Sequence, residues 1–260
     1  MRTAGVRPSL FPDIGARFFG YAGGLMLLLW DALRLIVTLR VKPSEVLRQA
    51  YFLGVQSWPI ITLTSAFTGM VISLEAAAQA VAYGLSQLIG GSVAFGTLRE
   101  LGPMLTGIVF AGRAGAAITA SLGSMVVTEQ VEALSSMGVS PTKVLVVPRL
   151  LACIITVPML TVFADIVGVY GGFIVAALHA HVSSYVYWQS VQSLAGMSDF
   201  IAGLIKAAVF GAVVALVGCY EGLRAKGGAE GVGSVTTQAV VTSIILIFAL
   251  NFAMSLVLFK

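Results

Sequence analysis

The chain has 260 residues, 58% of them hydrophobic and only 10% charged, where an ordinary soluble domain carries roughly 25% charged residues. That composition excludes a soluble globular domain and points to a polytopic membrane protein with room for about five or six crossings of about 20 residues each. A net charge of +4 does not mark a nucleic-acid binder, because the basic residues gather toward one end instead of forming a patch with interleaved aromatics.

Residues 1–17 are polar, with Pro8 and Pro12, and read as a poorly ordered or surface-draped lead. Phe18 to Leu39 is apolar but carries Asp31 and Arg34, each costing about 2.5–3.5 kcal/mol at a bilayer centre. It is therefore predicted to lie in the interface, with Arg34 and Arg40 toward headgroups; a first span is the competing reading. No small-residue cleavage site follows it. Lys42-Pro43-Ser44-Glu45 reads as a turn in which Ser44 caps a short helix, SEVLRQAYFLGVQ.

The first span runs from Trp58 to about Ala78, anchored by Trp58. Ser65, Gly69 and Ser73 recur every four positions on it, on one face where another helix, even one across a dimer, can approach closely. Residues 79–97 are a weakly polar, Gly-rich connection. Further spans are predicted at about 100–126, 144–178, 200–220 and 236–258. Residues 179–199 join the third and fourth, with Tyr185, Tyr187 and Trp188 as an aromatic belt. Cys153 and Cys219 fall inside apolar runs and read as small hydrophobes.

Loop charge orients the chain. Arg2, Arg7, Arg17, Arg34, Arg40, Lys42 and Arg48 precede the first span, Lys143 and Arg149 lie in 127–149, and Arg224 and Lys226 in the last turn. The connections at 79–97 and 179–199 hold no Lys or Arg. The positive-inside rule puts the N-terminus, 127–149 and 221–235 in the cytoplasm and the C-terminus outside. Residues 1–57 then form a cytoplasmic segment with its interfacial helix, and 58–260 a five-span domain.

Three sets of residues stand out. In the second span Gly107, Ala111, Gly115, Thr119 and Gly123 step by four, with Gly112, Ala116 and Ala120 in a neighbouring row, as packed membrane helices require. Arg113, in the middle of this run, marks a water-filled path or a packed polar contact. In TEQVEALSSMG, Thr128 caps a helix whose Val131, Leu134 and Met137 share a side while Glu129 and Glu132 point elsewhere, which suits a connector or a docking surface. Finally, Glu75, Arg99, Glu100, Lys206 and Asn251 sit at similar depth on the outer side, as snorkelling groups or as a polar cavity lining. Asp165 has no evident partner. His179 and His181 lack the acidic neighbours that a metal site needs.

The sequence contains no phosphate-binding G-x-x-x-x-G-K-[ST], no H-E-x-x-H and no G-x-S-x-G, so it is not expected to hydrolyse ATP by itself.

The stretch LRELGPMLTGIVFAGRAGAAITASLGSMVVTEQVEALSSMGVSPTKVLVVPR, with RELGP at 99–103, AGRAG at 111–115, TEQ at 128–130 and VPR at 147–149, resembles the MlaE/YrbE permeases. These are the membrane subunits of ABC transporters that work with MCE proteins in lipid traffic. GCYEGLRAKGGAEGVG at 218–233 looks like the last turn of the actinobacterial-type branch. The resemblance implies an all-α membrane fold: an interfacial elbow helix, five spans, and a cytoplasmic coupling helix between spans two and three that sits on a partner ATPase. That partner would bind ATP and Mg, leaving this chain without a cofactor, a metal or a catalytic residue. The resemblance further implies two permease copies, and a lipid cavity lined by spans one and five that opens toward an MCE ring outside a bacterial inner membrane.

On this resemblance Thr128, Glu129, Gln130 and Glu132 are coupling candidates. Arg99 and Glu100 match the family's charged pair, and Lys206 a lysine of its fourth span. Asn251 departs from a family aspartate, and Glu75 is a candidate to restore the charge. Ser65, Gly69, Ser73, Gly112 and Gly115 are the packing candidates. The alternatives are a stand-alone secondary transporter or channel with Arg113, Asp165 and Lys206 as an ion path, and an intramembrane enzyme built on the two histidines.

Overall fold

A computed structural model of the protein describes residues 10–37, 42–83 and 85–258, with side chains from Phe19 onward except at 81 and 86. The described chain is helical, without strands. Its elements are α1 (Leu10–Val37), α2 (Pro43–Val55), α3 (Trp58–Ala82), α4 (Ile89–Val127), α5 (Gln130–Ser136), α6 (Thr142–His179), α7 (Ser184–Leu194), α8 (Met197–Gly222) and α9 (Gly228–Leu258). Six of them, α1, α3, α4, α6, α8 and α9, are long and apolar enough to cross a membrane. The protein is a multi-pass membrane protein.

Helix α6 is central, packed against α3 and α8, while α4 and α9 close the other side of α8. Close approach depends on small residues. A Cβ built on Gly69 of α3 would lie 1.9 Å from the Gly168 carbonyl oxygen of α6. Along the same face Ser73 Oγ donates to the Gly172 carbonyl at 2.7 Å, and Ser65 is buried. This face is thus filled within the chain, not across a dimer. The row Gly107, Ala111, Gly115, Thr119, Gly123 is buried throughout, against Phe210 and Val214 of α8 and Ile247 and Val232 of α9. Gly112, in the neighbouring row, faces outward, and a Cβ there would meet nothing.

Several boundaries differ from the sequence reading. Helix α4 begins at Ile89, ahead of Glu100, and α9 at Gly228, ahead of Thr236. The supposed connection 79–97 is largely the end of α3 and the start of α4, and 179–199 contains α7. Glycine lowers helix propensity by about 1 kcal/mol per residue, but at Gly90 and Gly91 it lets α7 lie directly on α4, at Tyr187 and Ser190. Tyr187 is accordingly no belt residue: it is fully buried and donates to the Val169 carbonyl at 3.0 Å. Helix α1 starts at Leu10, inside the segment read as poorly ordered or surface-draped; residues 1–9 and 38–41 lie outside the described residues. Ser44 does not cap α2. Pro43 takes the first helical position, where its fixed φ and missing N–H cost nothing, and Lys42 stands at the N-cap.

Candidate functional site

The sequence around Glu100 is built to free a carbonyl. Residues Thr97–Leu101 form a π-helical turn, closed by Gly102 N–H donating to the Thr97 carbonyl. Pro103 has no N–H to give the Arg99 carbonyl one turn back. That carbonyl accepts instead from Lys206 Nζ of α8 at 3.2 Å.

Lys206 is fully buried. Its ammonium lies 2.8 Å from Glu100 Oε1 and 2.8 Å from Ser255 Oγ of α9, so three donors meet three acceptors. Glu100 also accepts from Ser255 Oγ at 2.8 Å and from Asn251 Nδ2 at 2.9 Å. Its side chain remains 33% exposed, which opens the cluster to the outside of the helix bundle. Beside it Arg99 faces Asp199 at 3.8 Å and lies over the Phe95 ring. Two cations therefore meet two carboxylates, and neutral Asn251 leaves the balance intact.

Of the outer set, the structure brings Arg99, Glu100, Lys206 and Asn251 together. Glu75 stands exposed on α3, with no ion pair or hydrogen bond to a described residue, so it does not compensate for Asn251. Asp199 supplies the second carboxylate. Ser255 and Asp199 escaped the sequence reading, although Ser255 lies one helical turn beyond Asn251, on the same face. Asp199, at the head of α8, accepts from Gly196 N–H at 3.1 Å and so looks like an ordinary N-terminal acid.

Arg113 is a packed polar contact. The last carbonyls of a helix lack intrahelical donors, and Arg113 Nη1 donates to those of Phe52 and Leu53 in α2, at 3.4 and 3.0 Å, and to Ser57 Oγ at 3.0 Å. Its Nη2 donates to Gln56 Oε1. A cation there also suits the α2 dipole. Asp165 is 2% exposed in α6, and its Oδ1 lies against Gly102 without a hydrogen-bond partner. The structure does not join Arg113, Asp165 and Lys206 into a path.

Helix α5 protrudes at the opposite end of α4 from the cluster. Thr128 does not cap it, because its hydroxyl donates back to the Ser124 carbonyl at 2.9 Å. Glu129 occupies the N-cap in the left-handed region, φ 58°, and Gln130 Nε2 donates to Thr128 Oγ1. Val131 and Leu134 pack on the core, whereas Met137 is 68% exposed and turns away from them. At the other end Gly138, φ 74°, lets Val139 N–H reach the Leu134 carbonyl and Gly138 N–H reach that of Ser135, a Schellman stop. Thr128, Glu129, Gln130 and Glu132 are all exposed. The result is a short exposed knob that carries two carboxylates.

The chain is similar to known membrane permeases. The family model described as Permease MlaE matches residues 46–257. A probable ABC transporter permease of Rickettsia typhi is 40% identical over 84% of both chains. One of Synechocystis is 39% identical over 85% of this chain and 84% of its own. The intermembrane phospholipid transport system permease MlaE of Haemophilus influenzae is 33% identical over 93% of both.

Proposed function

This chain belongs to the MlaE permease family, as a transport subunit and not an enzyme, and on that premise we propose that it moves phospholipid between a bacterial inner membrane and an extracytoplasmic MCE carrier. The observation that carries the reading is the neutralised cluster of Glu100, Lys206, Asn251 and Ser255, open to the outside at Glu100 and set at one end of otherwise apolar helices. A headgroup phosphate can take charge-assisted bonds from the part-exposed Arg99, and reaches the buried Lys206 only by displacing Glu100. Acyl chains would lie on the exposed faces of α3 (Leu63, Phe67, Val71) and α9 (Ile245, Phe248, Phe252), which a second permease copy would enclose.

In this reading residues 1–57 are a cytoplasmic segment with an elbow helix, and 58–260 the five-span domain. Support for the elbow comes from the contacts of α1, which run to Tyr220 near the end of α8 and to residues 142–146 at the start of α6. Both places are at the α5 end, which supports a helix laid across that end of the bundle. Positive-inside charge then puts that end in the cytoplasm, where α5 docks on the ATPase that binds ATP and Mg.

Charge reversal tests the docking. The proposed docking pairs the two carboxylates with basic groups of the ATPase, so Glu129→Lys with Glu132→Lys is expected to lower copurified ATPase and ATP-driven transfer of fluorescent phospholipid by roughly tenfold or more, since like charges across an interface cost several kcal/mol. The permease level in the membrane should not change. Normal ATPase recovery with normal transfer would overturn the docking assignment.

A further inference from the structure

A second polar site lies at the α5 end, where α2 crosses α4 and α6. A cavity of about 220 Å³ opens there, lined by Arg48 and Gln49 of α2, Ser121 of α4 and Arg149 of α6, over Phe52 and Ile118. Arg149 is only 7% exposed. Its guanidinium donates to the Leu145 carbonyl at 2.8 Å and to Ser121 Oγ at 3.4 Å. A guanidinium has five N–H donors, so most of its capacity is unspent, and no carboxylate among the described side chains lies within ion-pair reach.

A buried cation without a counter-charge is costly, and a second guanidinium on the same cavity adds repulsion. Arg48 has Glu45 at 2.8 Å, but that contact is solvent-exposed on its own helix and counts for little. The outer cluster handles its cations differently, with a carboxylate for each. At Arg149 the chain leaves the counter-charge to be supplied from outside.

We propose that this cavity binds a phosphate group between Arg149 and Arg48, and that its source is the headgroup of an anionic phospholipid in the leaflet on the α5 side. Ser121 and Gln49 add neutral donors. The cavity is smaller than the roughly 300 Å³ at which pockets enclose whole drug-sized ligands, which suits a headgroup whose acyl chains stay in the bilayer. Helix α2 exposes Leu47, Tyr51 and Val55, as a helix at a membrane boundary does. A bound phosphate would tie α2 to α4 and α6 beside the Arg113 contact. Assigning the leaflet as cytoplasmic rests on the topology proposed above.

The test titrates short-chain phosphatidylglycerol and, separately, inorganic phosphate onto the detergent-purified full chain, with native mass spectrometry and melting temperature as readouts. Phosphatidylglycerol is expected to bind and inorganic phosphate to bind more weakly. Arg48→Gln, at an exposed residue, should weaken phosphatidylglycerol binding about tenfold, as expected for one charge-assisted contact. Ala117 also lines the cavity, and Ala117→Phe, which fills it without changing charge, should do the same. Unchanged affinity in both variants would overturn the site, and equal binding of inorganic phosphate would overturn the lipid source. The topology is read separately, from labelling of Met137→Cys by an impermeant maleimide; the native Cys153 and Cys219 are buried. Labelling from outside intact cells would defeat the topology while leaving the binding result standing.

Discussion

Gly69→Leu is expected to remove folded permease from the membrane fraction, or to leave a remnant that melts far below the wild type. The atom a Cβ would strike at 1.9 Å is the Gly168 carbonyl oxygen, followed by Gly168 C at 2.6 Å and Cα at 2.8 Å. Backbone cannot rotate aside as a side chain can. The α3 and α6 helices would have to separate, losing the Ser73 to Gly172 hydrogen bond and the dispersion contacts that hold membrane helices together. Overpacking costs about 1–3 kcal/mol where side chains can adjust; here the cost should exceed that range. Gly112→Leu is the control, since it makes the same change of residue at a helical glycine with open space around it. Fluorescence-detected size exclusion and thermal melting of the two variants should separate them clearly. A fully active, normally melting Gly69→Leu protein would mean that α3 does not pack on α6 in this way.

Changing Lys206 is expected to have the second large effect, with graded severity. Lys206→Ala leaves Glu100 with Asn251 and Ser255 but no cation. Breaking a buried pair costs roughly 3–5 kcal/mol, and the partial exposure of Glu100 places this case at the low end. Lys206→Glu is worse, because it sets a second carboxylate beside the first and faces the Arg99 carbonyl with an acceptor instead of a donor. Lipid recovered with the purified complex and its melting temperature should both fall in the order wild type, Lys206→Ala, Lys206→Glu. The swap Glu100→Lys with Lys206→Glu restores opposite charges, and Asn251 Oδ1, now without a hydrogen-bond partner, can turn toward the new lysine. Assembly should therefore recover in part. Transport should not, because the headgroup would meet the donors in the wrong place. If Lys206→Glu kept full lipid occupancy, melting temperature and transport, the cluster would have neither the pairing nor the headgroup role.

The amino-acid order by itself determined the class of molecule, because membrane crossing depends on a one-dimensional quantity, the length of an apolar run. It also marked the exposed knob of α5, since TEQVEALSSMG is polar between two apolar runs, and it gathered Arg99, Glu100, Lys206 and Asn251 by depth alone. Depth is legible because antiparallel spans share one ruler, the bilayer thickness. Which residues touch at that depth is a question of helix rotation and neighbour order, and that only the tertiary structure decided. Glu75 has the right depth but stands exposed on α3, whereas Asp199 and Ser255 complete the cluster from α8 and α9. Gly69 and Gly112 are both helical glycines in rows of small residues. Only packing shows that one meets Gly168 and the other open space. The Arg149 cavity was illegible for the same reason: Arg48, Ser121 and Arg149 lie far apart in sequence, and their meeting depends on where α2 settles against α4 and α6. A pattern along one helix gives a face, but a site needs the angle between faces, and that angle is set by side-chain packing across the whole bundle.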